Sequence, residues 1–248
     1  MEKDNLGYLR LPSMNEDAVA SIREWMPKFA DTKGLIVDVR GNGGGSRAAL
    51  IELAGWLMDS SDAPHIANVC KYRLCDKFPE DHLSDARFVY RADSKQFGER
   101  KKIAIAKFME KFQPEWTPPK EEFSEWHYLV LSRSADDTRK HYDKPVVILM
   151  DEKCFSATDI FVGAFKGWSN VTLVGQPSGG GSARRQSFVL PKSQIRIDCA
   201  SMASFQPNGK LYDIHGILPD VVVERSPGYF LNDGEDSLLE KAIELIVD

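Results

Sequence analysis

Two stretches of the chain share one plan: a short apolar run, a turn-forming break, then apolar residues at helical spacing. In the first, "GLIVDV" (34–39) is broken by "RGNGGGS" and followed by "RAALIELAGWLM". In the second, "PVVILM" (145–150) passes through "DEKCFS" into "ATDIFVGAFKGW" and on to "VTLVG". Apolar runs without a polar position suit strands covered on both faces. The repeated strand–turn–helix order predicts βαβ units and a mostly parallel sheet. "GYLRLP" adds a strand near the N-terminus. After residue 186 the pattern alternates, as hairpin strands do, in "QSFVLP" and "QIRIDCASMASF". "NDGEDSLLEKAIELIVD" closes as a helix, capped by Asp236 or Ser237, with Leu238, Leu239, Ala242, Ile243 and Ile246 on one face.

Residues 59–143 follow no such plan. They hold 12 of the 25 aromatic residues, mixed with balanced charge. "GERKKIAIAKFMEKF" predicts a helix, and "QPEWTPPKEEF" a Pro-rich break. The segment reads either as an insertion packed on the core by its own aromatics or as a lid beside a site. The chain is expected to be a single core domain over 1–248.

Composition changes this picture little. Hydrophobic residues make up 42% and charged residues 28% of 248, enough for a sizeable core. With a net charge of −5 and no dense run of Lys or Arg, nothing suits a phosphate backbone, so nucleic acid is not expected as a partner. No apolar stretch reaches membrane-spanning length. Cys70, Cys75, Cys154 and Cys199 lack zinc spacing, so no metal site is expected. A Cys70–Cys75 disulfide stays open beside buried thiols.

The chemistry turns on Ser156. With Asp159 three residues on, it reads first as a helix cap close to a capping box. Its place between a strand and a helix also puts its hydroxyl at the carboxyl edge of the sheet, where ligands bind in open α/β folds. The N–H of Ala157, at the start of the helix, would face an oxyanion there. In "NGGG", glycines 43–45 allow the backbone to approach a ligand. The turn is neither a P-loop nor a dinucleotide fingerprint. Asp38 and Arg40 read as a structural ion pair, and Asp220 as a turn stabiliser.

"GLIVDVRGNGGG", "KPVVILMDEKCFSATDIFVGAFKG", "VGQPSGGGS" and "PNGKLYDIHGILPDVVVE" occur in an order that resembles the S41 peptidases. These are the tail-specific or carboxyl-terminal processing proteases and their tricorn-like relatives. The blocks cover residues 6–58 and 144–248. The resemblance implies an α/β core of crotonase/ClpP-like type with Ser156 as nucleophile. Its oxyanion donors would be the N–H groups of Ala157 and of Gly44 or Gly43. It also implies a polypeptide substrate, no cofactor, and, by family habit, a periplasmic or extracellular setting.

One departure matters. In the Ser–Lys branch a lysine in a G-K-G run serves as base, whereas this chain reads Gly180-Gly181-Ser182. Arg184 and Arg185 do not deprotonate in proteins, and a serine without a base is a poor nucleophile. In the tricorn-like branch the base is a His from an upstream helical domain, followed by a PDZ domain. Neither is expected within this chain. An acidic residue three before the Gly of the "G-[IV]-x-P-D" block completes that set, and Asp213 holds the position before Gly216. Of the histidines at 65, 82, 127, 141 and 215, only His215 reads as a base within the chain. The expected function is therefore a serine peptidase core using an acyl-enzyme mechanism. The rivals are a module binding hydrophobic ligands or peptides on the same fold and, more weakly, acyl-CoA chemistry.

Overall fold

The computed structural model describes residues 4–74, 87–230 and 234–247. Five strands form a parallel sheet: β1 (Leu6–Arg10), β2 (Gly34–Asp38), β6 (Val146–Met150), β7 (Val171–Gly175) and β11 (Val221–Val222), in the order β1-β2-β6-β7-β11. Every neighbouring pair is parallel. Alternate residues of β2 and β6 serve two different cores. Leu35, Val37, Val146, Ile148 and Met150 enter the larger one, with helices α1 (Glu16–Trp25), α2 (Ala48–Leu57) and α4 (Ala157–Phe165). Ile36, Val147 and Leu149 pack instead with Leu238 and Ala242 of the last helix, α6 (Ser237–Val247). A strand covered on both faces has no solvent side, which is why these runs carry no polar position. The pattern above does not single out α1, which starts behind Asn15, whose Oδ1 accepts the Ala18 N–H at 3.1 Å.

The middle segment holds more than a helix and a Pro-rich break. Besides α3 (Glu99–Met109), it supplies β3 (His65–Tyr72), β4 (Tyr90–Arg91) and β5 (His127–Leu131). With β10 (Met202–Phe205) these form an antiparallel sheet ordered β10-β3-β5-β4. Ala67, Cys70, Tyr72, Leu129 and Leu131 join the main core, while Ile66, Val69, Tyr128 and Val130 pack with Phe97, Ile105 and Phe123. Both faces are again covered, and an irregularity at Ile66–Asn68 shifts the register. The alternation that marks half-buried strands is therefore missing from the sequence. Cys70 is buried. Cys75 and His82 lie outside the described residues.

The expected strand at 194–205 breaks at Ser201, whose N–H and hydroxyl both donate to the Arg184 carbonyl, at 2.7 and 2.8 Å. Before the break, β9 (Arg196–Ala200) pairs only with β8 (Arg185–Val189), as a hairpin with mostly exposed side chains. After it, β10 joins β3. A short helix, α5 (Tyr212–His215), then leads to β11.

The ion pair read from "DVR" ties α6 to the sheet. Asp38, 1% exposed, accepts from Arg40 Nε at 3.0 Å, from Arg40 NH2 at 2.7 Å and from the Tyr8 hydroxyl at 2.7 Å. The same guanidinium grips Asp236 at 2.7 and 2.9 Å, and Asp236 Oδ1 caps α6 by accepting the Leu239 N–H at 3.1 Å. Burial alone would raise the Asp38 pKa, but the hydrogen bonds and charge of Arg40 outweigh it and hold the carboxyl below its ordinary value. Asp38 thus contributes stability fully present above about pH 3.9 and lost as pH falls through its lower folded value. Arg40→Met leaves the buried Asp38 with the Tyr8 hydroxyl, the backbone N–H of residue 40 and the Arg10 guanidinium at 3.8 Å, and without its bidentate partner. It is expected to lower the unfolding free energy at pH 7 by about 3–5 kcal/mol, and by less below pH 4, where Asp38 takes up a proton. Urea unfolding at a series of pH values checks both; an equal loss at every pH would contradict this account.

Candidate active site

The site is built where β2 and β6 end side by side, since Asp38 is in register with Leu149. The turn after β2 is held by Asn42, which is fully buried. Its Nδ2 donates to the Leu11 carbonyl at 2.8 Å, and its Oδ1 accepts the Gly44 N–H at 2.9 Å and the Thr158 hydroxyl at 2.8 Å. The Asn42 carbonyl accepts the Phe155 N–H at 3.1 Å. One asparagine thereby laces the "NGGG" turn to the corner that follows β6.

Ser156 sits at that corner with φ 59° and ψ −116°. A non-glycine residue at positive φ stores strain on the order of 1–3 kcal/mol, which persists only where the surroundings enforce it. The Ser156 hydroxyl makes no cap hydrogen bond and has no partner among the described residues. Asp159, in the first turn of α4, is 0% exposed. Its carboxylate faces the backbone of Ser156, which pulls its pKa down. It also accepts the Ser178 hydroxyl at 2.5 Å and the N–H groups of Gly180 and Gly181, each at 3.0 Å. Burial raises its pKa above the ordinary carboxylate value, against the pull of these donors.

Gly44 lies against this corner. A β-carbon there would stand 2.7 Å from the Phe155 carbonyl oxygen, 2.8 Å from Ser156 Cβ and 3.0 Å from the Ala157 nitrogen, at φ 104°. The turn and Ser156 are thus side by side. The Ala157 N–H opens α4 without a protein acceptor among the described residues. The Gly44 N–H, by contrast, is taken by Asn42. Gly43 is exposed, with nothing within 4 Å of where a β-carbon would stand.

Asp213 and His215 are placed differently. Asp213 Oδ1 accepts the N–H groups of Ser182 and Ala183 at 2.9 and 2.8 Å, and Oδ2 the Ser182 hydroxyl at 3.3 Å. Burial raises its pKa. The carboxylate thus closes the far end of the glycine loop that Asp159 opens. His215 turns away, with Nε2 3.1 and 2.9 Å from the two carboxylate oxygens of Glu115. His141 Nε2 lies 3.1 Å from the Leu57 carbonyl and His127 Nδ1 2.8 Å from the Glu125 carbonyl. Among the described residues no histidine is hydrogen-bonded to Ser156, and no group of three or more His, Cys, Asp or Glu side chains is arranged to hold a metal ion.

Sequence reasoning missed Asn42, Ser178 and Phe155. It saw Asp159 only as a near-capping-box residue. The signal for Asn42 is present, because Asn before glycines is a turn residue that bonds its own backbone two positions on. The partners of Asp159 are about 20 residues away and carry no local mark.

The model of peptidase family S41 matches residues 5–223. No curated protein is similar enough in sequence to match the chain. Among solved structures, a peptidase candidate from Parabacteroides merdae superposes with a TM-score of 0.68 at 22% identity, covering 100% of this chain and 63% of that one. The photosystem II D1 C-terminal processing protease gives 0.56 at 16% identity, covering 98% and 47%. Mature CPAF in complex with lactacystin gives 0.57 at 17%, covering 88% and 47%. At these identities the likeness is one of fold, and the chain spans less than two thirds of each of these structures.

The packing of the turn predicts a sharp contrast between neighbouring glycines. Gly44→Ala forces a β-carbon into the Ser156 corner at positive φ and is expected to cost about 2–3 kcal/mol. Gly43→Ala points into open space and is expected to stay within about 0.5 kcal/mol. Thermal or urea unfolding of the two variants measures the difference; equal losses would mean that the turn does not press on the corner.

Proposed function

Because the chain belongs to peptidase family S41, we propose that it is the serine-peptidase core of a longer protease acting on polypeptides through an acyl-enzyme. The observation that carries this reading is the Ser156 corner: a strained serine whose hydroxyl is released from capping, next to a free helix N–H and a glycine turn. Ser156 Oγ attacks the scissile carbonyl and loses its proton to a base. The carbonyl oxygen, becoming an anion, takes a hydrogen bond from the Ala157 N–H at the positive end of α4. The turn supplies the second donor. Of the two glycines weighed for it, Gly43 is the better placed, since the Gly44 N–H is already engaged.

In this reading the base is a histidine from outside the chain. His215, with Nε2 on Glu115, is not the group we assign. Asp213 is suited to orient an incoming imidazole. Its Oδ1 is occupied by two N–H groups, whereas Oδ2 holds only the 3.3 Å contact to Ser182 and remains open as an acceptor.

A protein extended upstream is expected to react at Ser156 with a fluorophosphonate probe and to cleave an unfolded polypeptide, while residues 1–248 alone do so weakly. Ser156→Ala is expected to lower peptide hydrolysis by about 10³-fold or more, and Asp213→Asn by less, because orienting a base matters less than having a nucleophile. Brisk cleavage by residues 1–248 that His215→Ala abolishes would place the base within the chain instead. An extended protein that neither labels nor cleaves, yet binds apolar ligands tightly, would make this a binding module.

A further inference from the structure

Phe155 is the one side chain of the serine corner that this mechanism leaves unused. Its ring is 47% exposed although it adjoins Ser156. It rests on the glycine loop. A β-carbon on Gly181 would stand 2.0 Å from Phe155 Cζ and 2.1 Å from Cε2, and one on Gly179 would stand 3.1 Å from Cδ2. Neither glycine has a left-handed φ, unlike Gly180 between them. Backbone conformation therefore does not require glycine at 179 or 181; at 181 the ring fills the space of a side chain, and at 179 the Glu152 carbonyl oxygen, at 3.0 Å, crowds the position together with the ring. Position 181 is the place of the lysine in the Ser–Lys pattern, and here the volume its side chain needs is filled by the tip of an aromatic ring.

The backbone of Phe155 is fixed, since its N–H donates to the Asn42 carbonyl at 3.1 Å and its own carbonyl accepts the Thr158 N–H at 3.0 Å. The ring is thus held beside Ser156 with glycine backbone beneath it and its remaining surface open to solvent. Half-exposed aromatic surface next to a reacting group favours contact with another apolar side chain.

We propose that Phe155 is a specificity-determining residue: its ring is the apolar wall against which a large aliphatic or aromatic substrate side chain beside the scissile bond packs, and its seat on Gly181 is what leaves this loop without a base. The proposal rests on the serine-peptidase reading for its substrate, and binding tests it apart from turnover.

Residues 1–248 carrying Ser156→Ala are titrated, by fluorescence anisotropy, with two labelled unstructured peptides. One has a Leu-Phe pair at the centre of a Gly/Ser-rich sequence; the other has Gly-Ser at those positions. The Leu-Phe peptide is expected to bind about tenfold more tightly, a preference of about 1.4 kcal/mol. Adding Phe155→Ala removes the preference, whereas Phe155→Leu keeps most of it. Adding Gly181→Lys in place of either displaces the ring from its seat and also removes the preference, so the test survives if Phe155→Ala does not fold. Equal binding of the two peptides, no binding of either, or a preference that persists in both Phe155→Ala and Gly181→Lys overturns the proposal. Fluorophosphonate labelling of the extended protein decides the serine-peptidase reading separately. A ring-dependent preference without labelling would remove the chemistry and leave the apolar wall in place.

Discussion

A single buried carboxylate holds the candidate site together. Asp159 lies in the first turn of α4, out of contact with solvent, and gathers donors from one distant loop: the Ser178 hydroxyl with the Gly180 and Gly181 N–H groups. Without that acceptor, three donors would lose their partner, two of them buried, each at a cost of about 1–3 kcal/mol where no water replaces it. The carboxylate also complements the positive end of the helix. The Ser156 hydroxyl takes no part in this network. The positive φ of Ser156 is sustained by the same arrangement, because the loop, the helix start and the turn are fixed on every side of it.

Asn42 is the counterpart on the other strand. It has the same task, binding a turn to a neighbouring segment, but does so with a neutral amide whose two ends face opposite demands. Its oxygen receives the Gly44 N–H and the Thr158 hydroxyl, and its nitrogen reaches the Leu11 carbonyl. The outcome constrains the chemistry available. A glycine N–H engaged by Asn42 is not free for an oxyanion, so closeness to Ser156 and availability fall to different glycines. The Arg40–Asp38–Asp236 network, on β2 just before this turn, pins the sheet edge to the last helix.

The glycine loop shows how one aromatic side chain reshapes a site. Where the Ser–Lys pattern has a lysine, the loop keeps bare backbone under the Phe155 ring. His215, which sits within reach of the loop in sequence, is drawn toward Glu115 of the middle segment instead. Asp213 is bound to the loop's own N–H groups. These placements fit a proposed core that completes its catalytic set from elsewhere.

The parallel sheet, the two strand–turn–helix units, the closing helix and the place of Ser156 were legible from the sequence alone, because each rests on local periodicity or on turn residues adjacent in the chain. That Asp236 or Ser237 caps the last helix was legible for the same reason, and the structure decides for Asp236. β3 and β5 were not, since both of their faces are covered and no alternation marks them. Nor were the three donors that reach Asp159 from residues 178–181, the Asn42 lock on Gly44, the turn of His215 toward Glu115 or the seat of Phe155 on Gly181. Each of these joins groups far apart in the chain, and which donor meets which acceptor is settled only when burial removes water and leaves the nearest partner as the alternative.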